Sequence, residues 1–405
     1  MLPSVRIATR QLSHRALSIS SVGRATPSPP TSSVPRIRYP SLLFQSSFSI
    51  ANNVMYRPAK EAGEREPALA RPSSSVVLLS PSNEVLLLHR VKSSTSFASA
   101  HVFPGGNVDA FHDGEVPEQG NPERHQDSMV YRMCAIRETF EETGILLAKK
   151  DGKLLDLPES ERDEARKLIH GNKVKFSDWL KSVGGEPDTD ANDLGVAGLL
   201  PFTRWITPLP TPKRFTTQMY LYMLPLSRVG VPSQMLIPTA DNGVEHTAAD
   251  FGPVDKFLDQ AAAKSIILFP PQVFLLHMLK PYVGTSKMGS LEEEAGRFMM
   301  QRRKLTKFLK KTPTADTDKG KRHATASISW ADKVISPHHI LIRESDNRIV
   351  LGLEKPGREL QGTDRGGDWE RVALVKFGKG GPSEVEIRLR EDVLAEEKKE
   401  KESKL

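Results

Sequence analysis

The sequence predicts an α+β fold: a mixed sheet sandwiched between helices, followed by a small β-rich appendage. Three observations predict it. Short apolar runs between Pro, Gly and Asn turns crowd the front of the chain; helical periodicities alternate with further strands up to residue 279; beyond a charged stretch, only short strands recur. A chain of 405 residues with 38% apolar side chains is long enough to bury such a core.

Charge is unevenly placed. The formal net charge is +7, yet residues 1–54 hold Arg6, Arg10, Arg15, Arg24, Arg36 and Arg38 with no lysine, aspartate or glutamate, so six of the seven charges lie there. The remainder is close to neutral, which removes the support for a nucleic-acid partner. An Arg- and Ser-rich, acid-free leader of this kind is expected to be a disordered mitochondrial transit peptide, with Met55 as an alternative start. At the other end, a charged tail over 393–405 closes on Ser403-Lys404-Leu405, the tripeptide read by the peroxisomal import receptor, so the expected destinations are the peroxisome matrix, the mitochondrion or both. No apolar run reaches the roughly 18 residues of a membrane span. The single cysteine, Cys134, excludes an intrachain disulfide framework and reads as a packing residue.

Between the ends, residues 55–71 read as a linker and 72–285 as the main domain. Residues 75–79 and 85–89 form two strands around Pro81-Ser82-Asn83-Glu84, and a third strand, 101–103, stops at Pro104-Gly105-Gly106. Residues 107–126 lack apolar periodicity and read as an exposed loop. A helix is expected over 128–147, two more over 158–170 and 176–183, a strand pair over 202–207 and 215–224, and closing helices over 253–263 and 271–279. Residues 286–328 read as a charged helical connector and linker. Strands at 340–342, 349–353, 371–377 and 384–389 make up the appendage, 329–392.

The chemistry concentrates in Arg137-Glu138-Thr139-Phe140-Glu141-Glu142-Thr143-Gly144-Ile145. At about 100° per residue, Met129, Met133, Ile136 and Phe140 share one helix face while Glu138, Glu141 and Glu142 share the other. Glutamates on a helix are ordinarily its solvated face, and like charges at these spacings repel by a few tenths of a kcal/mol per pair. A divalent cation reverses that sign, and hard carboxylate oxygens suit Mg²⁺ or Mn²⁺. Upstream, the double glycine of Phe103-Pro104-Gly105-Gly106 lets backbone approach an ion or phosphate closely, and Gly144 suits a helix end.

These residues resemble the Nudix box: Gly, five residues, Glu, seven residues, then Arg-Glu-apolar-x-Glu-Glu-x-Gly-apolar. The second half matches at Arg137, Glu138, Glu141, Glu142, Gly144 and Ile145, with Thr139 replacing an apolar residue. The first half is interrupted, because Arg137 follows Gly106 by 31 positions instead of 14, and His112 and Met129 stand at the two places where the mid-box glutamate is sought. An interrupted box, the runs 85–90 and 100–106, Arg204-Trp205-Ile206-Thr207-Pro208, Pro212-Lys213-Arg214-Phe215-Thr216-Thr217 and Pro270-Pro271 are similar to the peroxisomal coenzyme A diphosphatase branch. Thr216 replaces that branch's usual aspartate, and Phe97 and Ser99 occupy positions where other coenzyme A Nudix enzymes carry His and Gly.

The resemblance implies a Nudix α/β/α sandwich and a hydrolase acting on a phosphoanhydride. Glu138, Glu141 and Glu142, with a carbonyl of Gly105 or Gly106, would hold Mg²⁺ or Mn²⁺, and one glutamate or a metal-bound hydroxide would activate water. Arg137 would orient the glutamates; Arg90, Gly105, Arg214 and Glu245 would contact substrate. Coenzyme A or acyl-CoA is the implied substrate, giving 3′,5′-adenosine bisphosphate and (acyl-)phosphopantetheine. The alternatives are another nucleoside diphosphate derivative, such as ADP-ribose, NADH or a capped RNA end, or a Nudix-fold binding protein without catalysis.

Overall fold

A computed structural model describes residues 68–404 except 92–98, 191–197, 227–237, 240–245, 285–289 and 379–380. The leader, most of the 55–71 linker, Phe97, Glu245 and Leu405 therefore lie outside the described residues. The elements run β1 (Ala70–Leu79), β2 (Val85–Arg90), β3 (His101–Val102), β4 (Gly105–Asn107), α1 (Met129–Thr143), β5 (Ala148–Lys150), β6 (Lys153–Leu154), α2 (Glu159–His170), α3 (Phe176–Ser182), β7 (Glu186–Pro187), β8 (Leu200–Ile206), β9 (Arg214–Met223) and β10 (His246–Gly252). Then come α4 (Val254–Ala262), α5 (Pro270–Leu279), α6 (Leu291–Leu309), α7 (Asp318–Arg322), β11 (Val334–Ile335), β12 (His338–Ile342), β13 (Ile349–Leu353), β14 (Asp368–Gly378), β15 (Gly381–Leu389) and α8 (Arg390–Glu402).

The main sheet is mixed, in the order β10-β2-β1-β9-β8-β11, with β3 on β2 and β4 on β1. Central β1 runs parallel to β9 along its whole length, Ala70 opposite Arg214 and Leu79 opposite Met223. Its apolar run is continuous because both faces are covered. Val76 and Leu78, with Tyr220 and Tyr222, pack against Ile136 and Phe140 of α1 and Phe176 of α3. Val77 and Leu79, with Leu221 and Met223, pack against α5 and Phe308 of α6. This alternation of side chains is the α/β/α sandwich that the sequence predicts.

Several expectations need correction. Strand β1 begins at Ala70, inside the expected linker, because its partner β9 extends that far. Helix α1 stops at Thr143, four residues early, where Gly144 takes φ 72° and returns its N–H to the Phe140 carbonyl. Met129, in its first turn, is exposed and not part of the apolar face. The 107–126 loop is not simply exposed: His112, Asp113 and His125 are buried within it.

The C-terminal β-rich part is present as expected, and it shares the core of the main sheet. Helix α6 docks on the β1–β2 hairpin through buried Arg302, which donates to Asn83 Oδ1 at 2.7 Å and to the carbonyls of Leu224 and Ser80 at 2.6 and 2.8 Å. The sheet β12-β13-β14-β15 sends Leu351, Leu353, Ala373, Val375 and Ile387 into the same core as Trp205 and Phe274. Trp330 is fully buried, with Phe202, Phe274 and Phe308 around it at ring distances of 6.1, 6.4 and 5.4 Å. β11 extends the main sheet, Val334 opposite Arg204. The charged tail is mostly helix α8, anchored by Val393 and by the buried pair Glu397–Arg343 at 3.1 Å. Among the described residues no helix is long and apolar enough to cross a membrane.

A shared core requires shared unfolding. Trp330→Ala should cost about 3–5 kcal/mol and leave one cooperative urea transition by both far-UV CD and tryptophan fluorescence. Two separated transitions in the wild-type protein would contradict a common core.

Candidate active site

The site forms where α1 crosses the β1–β4 pair. Ser73, Ser74 and Ser75 of β1 lie opposite Asn107, Gly106 and Gly105. Ser74 Oγ donates to the Tyr131 carbonyl at 2.7 Å and Cys134 Sγ to the Gly106 carbonyl at 3.6 Å, so helix and strand are laced together. Cys134 is completely buried and burial pushes its thiol up, which suits packing and not nucleophilic attack.

Gly105 is sterically required, and Gly106 makes room for the Glu138 carboxylate. At Gly105, φ is +151° and a Cβ would fall 2.2 Å from the Ser74 carbonyl oxygen. At Gly106 a Cβ would fall 2.5 Å from Cδ of Glu138. Any side chain there would displace the Glu138 carboxylate from the backbone it abuts.

The three glutamates share α1 but have different surroundings. Glu142 is buried and accepts the Gly105 N–H at 2.7 Å. Glu141 lies 2.9 Å from Arg137 and 3.2 Å from His170 Nδ1. Glu138 meets Arg137 at 2.9 Å, but burial, opposed by Arg137 and reinforced by Glu141 and Asp113, pushes its carboxyl up to about 7. Among the described residues no three His, Cys, Asp or Glu side chains form a ready-made cation cage. Without a cation, repelling carboxylates take the positive and N–H partners within reach.

Arg137 is the hub. Its Nε and Nη2 grip Asp113 at 2.9 and 2.8 Å, Nη2 also donates to the Asn107 carbonyl at 3.0 Å, and Nη1 serves Glu138 and Glu141. The pairings raise its pKa against the opposing effect of burial. Asp113, whose side chain is wholly inaccessible, was missed by the sequence reading. It lies one residue beyond the His112 position where a mid-box acid was sought; His112 instead bonds Asn172 at 2.6 Å and the Phe176 N–H at 3.1 Å.

Arg137 and Glu138 stand at a cavity of about 510 Å³ that Arg90, Gly105 and Gly106 also line, whereas Glu141 and Glu142 are not on its lining. Arg214 is not on it. It is buried, paired with Glu359 at 2.6 Å and donating to the carbonyls of Thr207 and Ala68, so its expected substrate contact is replaced by a structural role. Gly105 offers no free N–H to substrate, since Glu142 takes it. Glu245 lies outside the described residues. Thr216, the residue standing in place of the branch's aspartate, is buried with its hydroxyl 3.0 Å from His125 Nδ1 and 3.1 Å from Arg204 Nη1. An anion is not needed beside a histidine whose pKa is lowered to about 4, chiefly by burial.

One guanidinium paired with three carboxylates, with Glu142 beside them held by the Gly105 N–H, is a hard-oxygen set that fits a divalent cation. Fold and box are similar to those of Nudix domains, and the NUDT19 Nudix domain family model matches residues 115–279. Within that class the likeness is to the NUDT19 branch. The chain is 25% identical over 244 residues to acyl-coenzyme A diphosphatase NUDT19 of Gallus gallus (48% of this chain, 60% of that one) and 25% identical over 238 residues to its Xenopus laevis counterpart (48% and 59%). It is 25% identical over 210 residues to putative nudix hydrolase 7 of Caenorhabditis elegans (52% and 60%). The chain therefore spans about 60% of the length of these relatives. A solved NUDIX hydrolase of Alicyclobacillus acidocaldarius shares 22% identity with a TM-score of 0.40, covering 53% of this chain and 93% of that one.

The raised Glu138 pKa has a stability consequence. A carboxyl with pKa about 4.5 unfolded and about 7 folded favours the folded state below pH 4.5, and that contribution is lost as pH rises through 7. Glu138→Gln should therefore raise metal-free stability at pH 8 by roughly 1–3 kcal/mol. The same variant should lose most of the stabilisation that Mg²⁺ gives the wild type, read by thermal melting with and without the ion. Equal Mg²⁺ shifts in both proteins would contradict a role for Glu138 in holding the cation.

Proposed function

We propose that the protein is a metal-dependent diphosphatase that hydrolyses the phosphoanhydride of coenzyme A or acyl-CoA, releasing 3′,5′-adenosine bisphosphate and (acyl-)phosphopantetheine. The observation that carries the reading is the Glu138 carboxylate, enclosed against Gly106 at a cavity that also exposes Arg90 and the Arg137 hub. The substrate assignment is supported by the names of the relatives, acyl-coenzyme A diphosphatases.

In this mechanism Glu138, Glu141 and Glu142 hold the ion. A bound Mg²⁺ or Mn²⁺ supplies charge neutralisation at the phosphoryl oxygens and a lowered pKa for attacking water. One of these glutamates would accept that water's proton, and Glu138 is the one that lines the cavity. Arg137 keeps Glu138 and Glu141 in register, and Asp113 fixes Arg137 from the opposite side. Arg90 lines the cavity and suits a phosphate contact. The interrupted box does not favour a binding-only protein, since Asp113 anchors the arginine from within the insertion.

The test is a substrate panel of CoA, acyl-CoA, ADP-ribose and NADH with Mg²⁺ or Mn²⁺. CoA forms are expected to turn over fastest; preference for ADP-ribose or NADH, with no CoA turnover, would move the enzyme to another substrate. Glu142→Gln keeps the hydrogen bond to Gly105 but removes a charge, and should cut kcat by 100-fold or more with an unchanged melting profile. Asp113→Asn should lower kcat about 10-fold or more through a loosened Arg137, and unaltered kinetics there would remove Asp113 from the mechanism.

A further inference from the structure

The cavity has a second, apolar side, and part of it comes from outside the segment that matches the Nudix family. Its lining includes Phe269, Pro270 and Pro271 at the start of α5, together with Leu351 of β13 and Phe377 of β14. Leu351 is fully buried and Phe377 half-buried, and both belong to the core shared with the main sheet. The junction is tight: a Cβ at Gly381 would fall 3.3 Å from the Phe269 ring, and Lys264 pairs with Glu384 at 2.8 Å beside it. The C-terminal sheet is thus a fixed wall of the catalytic cavity.

Gln272 adds a polar mark on that side. It lines the cavity, and its Oε1 is buried without a hydrogen-bond partner. A buried acceptor of this kind calls for a donor, and a ligand N–H entering the cavity can supply one in place of water. A pantetheine arm carries amide N–H groups between its phosphate and its thioester, followed by an acyl chain. Anionic groups at one side, an unsatisfied amide acceptor and an apolar wall form the complement of that sequence of groups.

We propose that the C-terminal sheet is the acyl-selecting wall of the enzyme: Phe377, backed by Leu351, seats the fatty acyl end of an acyl-CoA, with Gln272 accepting an N–H of the pantetheine arm. This rests on the diphosphatase reading and gives the C-terminal strands a part in substrate choice.

The experiment measures kcat/KM for free CoA, octanoyl-CoA, palmitoyl-CoA and ADP-ribose in wild type, Phe377→Trp, Phe377→Ala and Gln272→Leu, each checked by melting. Phe377→Trp should lower the octanoyl-CoA to CoA ratio at least 10-fold, and Phe377→Ala should shift preference toward palmitoyl-CoA. Where tryptophan prevents folding, Phe377→Leu replaces it and should likewise move the ratio. Gln272→Leu should raise KM for all CoA forms relative to ADP-ribose. Ratios within twofold of wild type in the folded Phe377 variants overturn the inference while leaving the diphosphatase reading intact. A parallel fall for ADP-ribose also overturns it, because the base would then occupy this wall. Turnover of ADP-ribose but of no CoA form by the wild type sinks the substrate reading, and this inference with it.

Discussion

The geometry of the site depends on one buried guanidinium. Arg137 has five N–H donors in a rigid fork, and the protein directs them at Asp113, the Asn107 carbonyl, Glu138 and Glu141. Burying that charge is costly, and only near-complete pairing offsets the cost. The pairing is lopsided, however, since more carboxylates converge here than one arginine can neutralise. Glu138 abuts Gly106, whose lack of a side chain leaves room for its carboxylate at the cavity.

How legible this was in the sequence depends on the range over which each feature is determined. The helix, its carboxylate face and its glycine stop are local, set by residues within a few turns of one another, and the helical period exposes them directly. The continuous apolar run of β1 is equally readable, since a central strand covered on both faces has no alternation to hide. Asp113 was not readable. It sits in a stretch with no periodicity, and it is functional only because 107–126 folds back to bury it against a helix more than twenty residues on. Arg214 was misread for the converse reason: its partner Glu359 lies far along the chain, in a segment taken for an appendage, and nothing local distinguishes a committed arginine from a free one.

The same long-range packing explains why the C-terminal strands were recognised as strands but not as part of the domain. Their pattern gives one buried face without saying what covers it. Trp330, which sequence leaves as an isolated aromatic, is the point where α5, α6 and β8 meet, and Lys333 beside it donates to the Thr325 and Gly367 carbonyls at 2.7 and 2.9 Å to close the turn. With that junction in place, β13 and β14 stand against the catalytic cavity instead of trailing behind it.

The acids of α1 and the Gly105-Gly106 backbone together form a divalent-cation seat in this reading. Diffraction from crystals grown with Mn²⁺ and a non-hydrolysable diphosphate, using manganese anomalous scattering, tests it. An anomalous peak is expected within about 2.0–2.3 Å of Glu138 and Glu142 oxygens and beside the Gly106 backbone. Diphosphate bound with no anomalous peak at those carboxylates would contradict it.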